Sequence, residues 1–228
     1  MHSTDSGGKT IIVGVAGASG AVLAQTALRL LAADQRVTRV HLVVSDAGLR
    51  LLGEELGVAS RAADLPTRLL ASGGAASAGK IEAGKFDAAK IELLANSDVG
   101  ASIASGSYPA DAMCVIPCSM GALSAIASGA STDLLSRAAD VSLKEGRRLV
   151  LCVRDTPFSR THLENMLRAQ QAGAVIMPVI VSFYHRPKTI DDLVAQYVCR
   201  VLAQMGLPQS GQFTWKGSEP PTGKARSA

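Results

Sequence analysis

Apolar and polar positions along the chain follow two rhythms in turn. Short β-branched runs, apolar throughout, give way to stretches in which leucine and alanine return every three or four positions. Residues 10–16 (Thr-Ile-Ile-Val-Gly-Val-Ala) read as a strand ended by glycine, and 21–33 as a helix. Residues 40–44 predict a second strand, followed by Ser45 as the cap of a helix carrying Leu49, Leu52 and Leu56 on one face. Further on, 112–117 is a buried strand, and Ser119 opens a small-residue helix ending near Gly129. Asp133 then caps a helix to about Gly146. The remaining expectations are a strand at 148–153, a helix at 162–171, a strand at 174–177 and a last helix at 190–206.

The pattern fades between Val58 and Asn96. The run 71–79 (Ala-Ser-Gly-Gly-Ala-Ala-Ser-Ala-Gly) is low in complexity, so the stretch at about 58–95 is expected to be a flexible, exposed insertion. Residues 1–9 are expected to be a flexible N-terminus, and the segment from about 216 to 228 a mobile tail. Elsewhere strands alternate with helices. Parallel strands need crossover helices, so the order predicts a doubly wound, Rossmann-like α/β fold: one domain, a mostly parallel sheet and helices on both faces.

The 228 residues, 47% of them apolar, suit one compact domain. Cys114, Cys118, Cys152 and Cys199 show no paired metal spacing, and buried reduced thiols are the simplest account of them. The N-terminus lacks the apolar core of a secretory signal, and no stretch is long and uncharged enough to span a bilayer. A cytoplasmic protein without a membrane partner is expected. The net charge of +4 is scattered and only 4% of residues are aromatic, which argues against nucleic acid as a partner.

Open parallel sheets bind ligands where strand ends meet helix N-termini. Four such places stand out: Gly17-Ala18-Ser19-Gly20, Ser45, Cys118-Ser119-Met120-Gly121, and Arg154-Asp155-Thr156-Pro157-Phe158. Taken alone, the glycine turn fits a phosphate or flavin edge and fits a bare connection equally well. The second strand ends at Ser45 and not at an acidic residue, which disfavours a dinucleotide ribose contact and favours a mononucleotide such as FMN. Ser45 and Ser119 are caps, phosphate donors, or both. Arg154 and Asp155 end a buried strand, where a charge needs a partner or a ligand.

Several ordered segments together resemble the UbiX-type flavin prenyltransferases, a branch of the FMN-dependent cysteine decarboxylase-like flavoproteins. They are the turn at 17–20, Ser102-Ile103-Ala104-Ser105-Gly106-Ser107, Ile116-Pro117-Cys118-Ser119-Met120, Arg137-Ala138-Ala139-Asp140-Val141 with Leu143-Lys144-Glu145, Arg154 to Phe158, His162-Leu163-Glu164-Asn165-Met166, and Phe183-Tyr184-His185-Arg186-Pro187. The resemblance implies transfer of a dimethylallyl group from dimethylallyl phosphate to N5 and C6 of reduced FMN. It implies no metal, a homo-oligomer (a dodecamer by analogy), and a prenylated FMN product used by a UbiD-type decarboxylase.

Carried over by position, FMN is expected at Gly17, Ala18, Ser19, Ser45, Ser119, Met120, Gly121, Ala122 and Arg154, with its phosphate seated on the glycine turn. The prenyl phosphate is expected at Ser105, Gly106, Arg137, Lys144, Tyr184 and Arg200, and Ser19, Glu55, Lys144 and Asp155 are the implied catalytic groups. Without its motif, Lys144 beside Glu145 reads as an exposed helical pair. Asp155 departs from the family pattern, which has glutamate there, and is one methylene shorter. Two rival readings are an FMN-dependent decarboxylase acting on a peptidyl or pantothenoyl cysteine and a non-catalytic FMN carrier. The decarboxylases carry an asparagine in the segment that reads Pro-Cys-Ser-Met-Gly-Ala here, and this chain lacks it.

Overall fold

The computed structural model describes residues 7–58, 63–72 and 86–214. In chain order the elements are β1 (Lys9–Val15), α1 (Ala21–Ala33), β2 (Val37–Val44), α2 (Asp46–Leu56), α3 (Leu65–Ala71), β3 (Ile91–Ala95), β4 (Ala112–Cys118), α4 (Met120–Ser128), α5 (Leu134–Lys144), β5 (Arg148–Val153), α6 (Arg160–Gln171), β6 (Val175–Ile176) and α7 (Ile190–Gln204). All neighbouring strands are parallel, in the order β3-β2-β1-β4-β5-β6. This is the doubly wound arrangement the alternation predicts.

The unbroken apolar runs follow from burial on both sides of the sheet. Ile11, Val13 and Val15 of β1 pack with Val40, Leu42, Cys114 and Cys152 against α1, α2, α3 and α7. Ile12, Met113, Val115, Leu149 and Leu151 pack the opposite way, against α4, α5 and α6. Successive side chains of a strand point to opposite faces, so each strand feeds both cores.

The structure corrects the reading of 58–95 wherever that stretch is described. Here α3 buries Leu65, Leu69 and Leu70, and β3 pairs with β2 from Val40↔Ile91 to Val44↔Ala95. β3 reads Ile-Glu-Leu-Leu-Ala, a short run interrupted by a charge, and as an edge strand it buries only Ile91. The C-terminus of α3 is held by α1: Gln25 Nε2 donates to the Leu69 and Ser72 carbonyls at 2.8 and 2.7 Å, and Arg29 donates to those of Leu70 and Ser72 at 3.0 and 2.6 Å. The Arg29 guanidinium also lies 5.9 Å from the centre of the Phe86 ring. Most of the low-complexity run lies outside the described residues, as does the expected tail at about 216–228.

Other boundaries shift for local reasons. Lys9, placed in the N-terminal segment by the sequence reading, is the first residue of β1 and pairs with Val37. β2 starts three residues early because Thr38 and Arg39 are exposed and hide its onset. α6 begins at Arg160, where the Ser159 hydroxyl accepts from His162 N and the His162 ring accepts from Ser159 N. β6 is only two residues long, although Met177 N and Val179 N continue to donate to the Leu151 and Val153 carbonyls at 2.9 Å each. No helix among the described residues is long and apolar enough to cross a membrane.

Candidate active site

The chain passes from β1 to β2 on one side and returns to β4 on the other, so a crevice opens between the carboxyl ends of β1 and β4. There the Ala16 N–H donates to the Pro117 carbonyl at 3.1 Å, joining the two strand ends. A Cβ on Gly17 would run into the Cβ of Ala47, so only glycine lets this loop lie against α2. Gly20, with φ of +116°, turns the chain into α1 in the left-handed region that glycine tolerates. Ser45 and Ser119 do cap their helices, accepting from Gly48 N at 3.0 Å and Ala122 N at 3.2 Å. Arg154 reaches across from β5 and donates through Nε to the Ser19 carbonyl at 3.2 Å.

Glu55, in the last turn of α2, completes the network. Its carboxylate accepts from Gly20 N at 3.0 Å and Ala21 N at 2.8 Å, which makes it the N-terminal cap of α1. Burial pushes this carboxyl upward. The Ser19 hydroxyl, the two N–H groups and the charge of Arg154 outweigh that and hold it below the ordinary glutamate value. Two donors at the end of the glycine turn, Gly20 N and Ala21 N, are therefore taken by the chain's own carboxylate, and a phosphate on this turn would compete with Glu55 for them.

Beside Ser45 lies a cavity of about 590 Å³ that the sequence reading missed. Val44, Leu49 and Leu93 give it an apolar wall, and Asn96, Thr132 and Asp133 a polar rim. Asn96 holds the start of α5, accepting from Leu134 N at 2.8 Å through its carbonyl and from Leu135 N at 3.0 Å through Oδ1. The one sequence signal was the cluster Asn96-Ser97-Asp98, directly after the presumed insertion.

The residues expected around the prenyl phosphate form two further groups. Arg137, Ser105, Gly106 and Lys144 lie along α5 and the connection before β4. Arg137 donates to the Ala104 carbonyl at 3.2 Å and pairs with Asp140 at 3.0 Å. Ser105 and Ser107 share a hydroxyl bond of 2.9 Å. Lys144 pairs with Glu145 next to Gly106, whose carbonyl accepts from Arg147 at 2.6 Å. Because α5 descends from the carboxyl edge to the amino edge, where Arg148 starts β5, Lys144 stands about a strand length, roughly 20 Å, below the glycine turn. Tyr184, 73% exposed, and Arg200, on α7 beside a cavity that Ile176 and Ser182 also line, make the last group. Asp155 folds onto the chain, accepting from Thr156 N at 2.8 Å. One copy thus brings Gly17, Ala18, Ser19, Ser45, Glu55, Ser119 and Arg154 together. It does not bring Lys144 to them.

The flavoprotein family model matches residues 1–202. The flavin prenyltransferase UbiX of Pseudomonas aeruginosa is 40% identical over 210 residues, covering 92% of this chain and 95% of that protein. A structure of AnUbiX in complex with FMN and dimethylallyl pyrophosphate superposes with a TM-score of 0.77 at 36% identity, covering 93% of this chain and all of that one. A dodecameric FMN-dependent UbiX-like decarboxylase from Escherichia coli O157:H7 gives the same TM-score at 38% identity, covering 91% of this chain and all of that one. With fold, strand-end motifs and these likenesses in agreement, the chain belongs to the flavoprotein family, and within it to the UbiX flavin prenyltransferases.

Proposed function

We propose that this protein transfers a dimethylallyl group from dimethylallyl phosphate to reduced FMN, making prenylated FMN for a UbiD-type decarboxylase. The observation that carries the reading is the Ser19–Glu55–Arg154 network at the β1–β4 crevice, built from three separate loops and helices. The residues present fit a mononucleotide. The apolar and polar walls beside Ser45 and the open approach to Gly121 at the start of α4 leave room for a flavin and its ribityl chain. With α1 capped by Glu55, the FMN phosphate goes to the N-terminus of α4, around Ser119, Met120, Gly121 and Ala122.

Reduced FMN, when bound, supplies the nucleophilic N5 and C6 that accept the prenyl carbons. The protein moves a proton and stabilises a leaving group. The Ser19 hydroxyl bonds to the Glu55 carboxylate, so a proton reaching Ser19 Oγ has an ionised acceptor one hydrogen bond away, although the surroundings that keep Glu55 ionised also make it a weaker base. Arg137, Lys144 and Arg200 offset the charge that grows on the departing phosphate, and Tyr184 donates a hydrogen bond to it. Asp155 lies on the loop beside Arg154, its carboxylate turned back onto Thr156 N.

Since Lys144 stands far from the crevice within one copy, we assign the cations and the flavin cradle of each complete site to different copies of a homo-oligomer. Four buried free cysteines accord with a reduced, cytoplasmic setting. The test is anaerobic incubation of the FMN-loaded protein with a reductant and dimethylallyl phosphate or diphosphate. The extracted flavin gains the mass of one dimethylallyl unit. A folded, FMN-loaded protein that leaves FMN unchanged with both donors overturns the assignment.

A further inference from the structure

His41 stands in mid-β2 with 1% of its surface exposed, among Val40, Leu42, Val43 and Val44. A strand buried on both faces gains nothing from an imidazole unless the ring is bonded, because a buried polar group without partners is costly. His41 Nε2 lies 2.6 Å from the Tyr108 hydroxyl, and Nδ1 lies 3.2 Å from Glu92 Oε2 on β3. Arg39, two positions earlier on β2, pairs with that same carboxylate oxygen at 3.1 Å.

Tyr108 ends the turn that begins at Ser105. Its N–H donates to the Ser105 carbonyl at 3.2 Å, and between them lie Gly106 and Ser107. Arg147 fastens one side of this turn through the Gly106 carbonyl, and His41 fastens the other through the Tyr108 hydroxyl. Removing either fastening frees one end of the segment that runs beside Lys144.

We propose that His41 is a positioning residue for the prenyl phosphate: through Tyr108 it fixes the Ser105–Tyr108 turn, and so sets Ser105 and Gly106 relative to Lys144 and Arg137. The inference rests on the prenyltransferase reading for the identity of the phosphate. The groups facing the ring are Tyr108, Glu92 and Arg39. Burial, more than the charge of Arg39, favours the neutral ring, and Glu92 opposes this. A neutral imidazole keeps one donor and one acceptor nitrogen: Nε2 is bonded to the Tyr108 hydroxyl, while Nδ1 lies near the Glu92 carboxylate without a hydrogen bond to it, so Tyr108 is the ring's one hydrogen-bond partner among the described residues.

The test uses the FMN-loaded protein with His41→Leu, His41→Gln, Tyr108→Phe and the Leu/Phe double variant. Binding of dimethylallyl phosphate is measured by calorimetry, turnover by kcat and KM, and order in the turn by hydrogen exchange at 104–109. His41→Leu raises Kd and KM for dimethylallyl phosphate about fivefold or more and speeds exchange in the turn, while kcat and FMN affinity stay within about twofold. His41→Gln, whose amide reaches the place of Nε2, restores most of the loss. Tyr108→Phe reproduces it, and the double variant is no worse than either single one.

Dimethylallyl phosphate affinity within about twofold of the parent in Tyr108→Phe, or additive effects in the double variant, overturns the proposal. Tyr108 sits in a loop, so its variant carries the test even where His41→Leu does not fold. A parent protein that binds dimethylallyl phosphate without turnover refutes the function alone, and the binding and exchange measurements still decide the role of His41.

Discussion

Two regions rich in charge hold their charges in different ways. At the β1–β4 crevice, Glu55, Ser19 and Arg154 come from α2, the first turn and the end of β5, and they bond to one another within a single copy. On α5 and just past its end, Arg137, Lys144 and Arg147 are tied to their near surroundings, Asp140, Glu145 and the carbonyls of Ala104 and Gly106. The first region is preorganised. The second is a store of cations at the surface, held by weak exposed pairs until an anion offers more. On the proposed function, the contrast puts flavin binding within one chain and phosphate departure at the contact between copies.

The largest effect separates the two. Lys144→Ala lowers prenyl transfer on the order of 10²–10³-fold and leaves FMN affinity unchanged, measured by product mass and by flavin titration. Mixing and reassembling this variant with Glu55→Gln, itself impaired, restores about a quarter of the parent activity, since a random half of each partner face is intact. No recovery on mixing refutes the assignment of the two halves to different copies.

Glu55→Gln tests the first region alone, with an expected loss in kcat of about a hundredfold. It also alters the dependence of stability on pH. The Glu55 carboxyl is held below its unfolded value, so its contribution is present in full above the unfolded value and is lost as pH falls through the folded one. Unfolding curves between neutral pH and pH 3 therefore converge for parent and variant at the acid end. Curves that stay parallel refute the depressed value.

The smallest effect concerns Asp155. Replacement by glutamate breaks the short bond to Thr156 N and lets the carboxylate extend, with an expected rise in kcat of a few-fold, about two to five. No change, or a fall, means that the loop has adapted to aspartate.

Much of the fold was legible because burial on two faces leaves little ambiguity. The helix at 21–33 and the strand at 148–153 were read to the residue, and Ser45, Ser119 and Asp133 cap where their position before an apolar repeat placed them. β3 was hidden because an edge strand buries little. α3 was hidden because seven residues beside a low-complexity run make barely two turns, too few to show a repeating face. In the site, motif residues could be named one by one. The bond from Gly20 to Glu55, 35 positions away, and that from Arg154 to Ser19, 135 away, belong to tertiary packing that no local pattern records.

The grip of Arg29 makes one cation of α1 the common anchor of α3 and of the approach to the sheet edge. One guanidinium bonds the Ser72 carbonyl and lies against the Phe86 ring, so a single side chain of α1 ties together two described residues 14 positions apart in sequence.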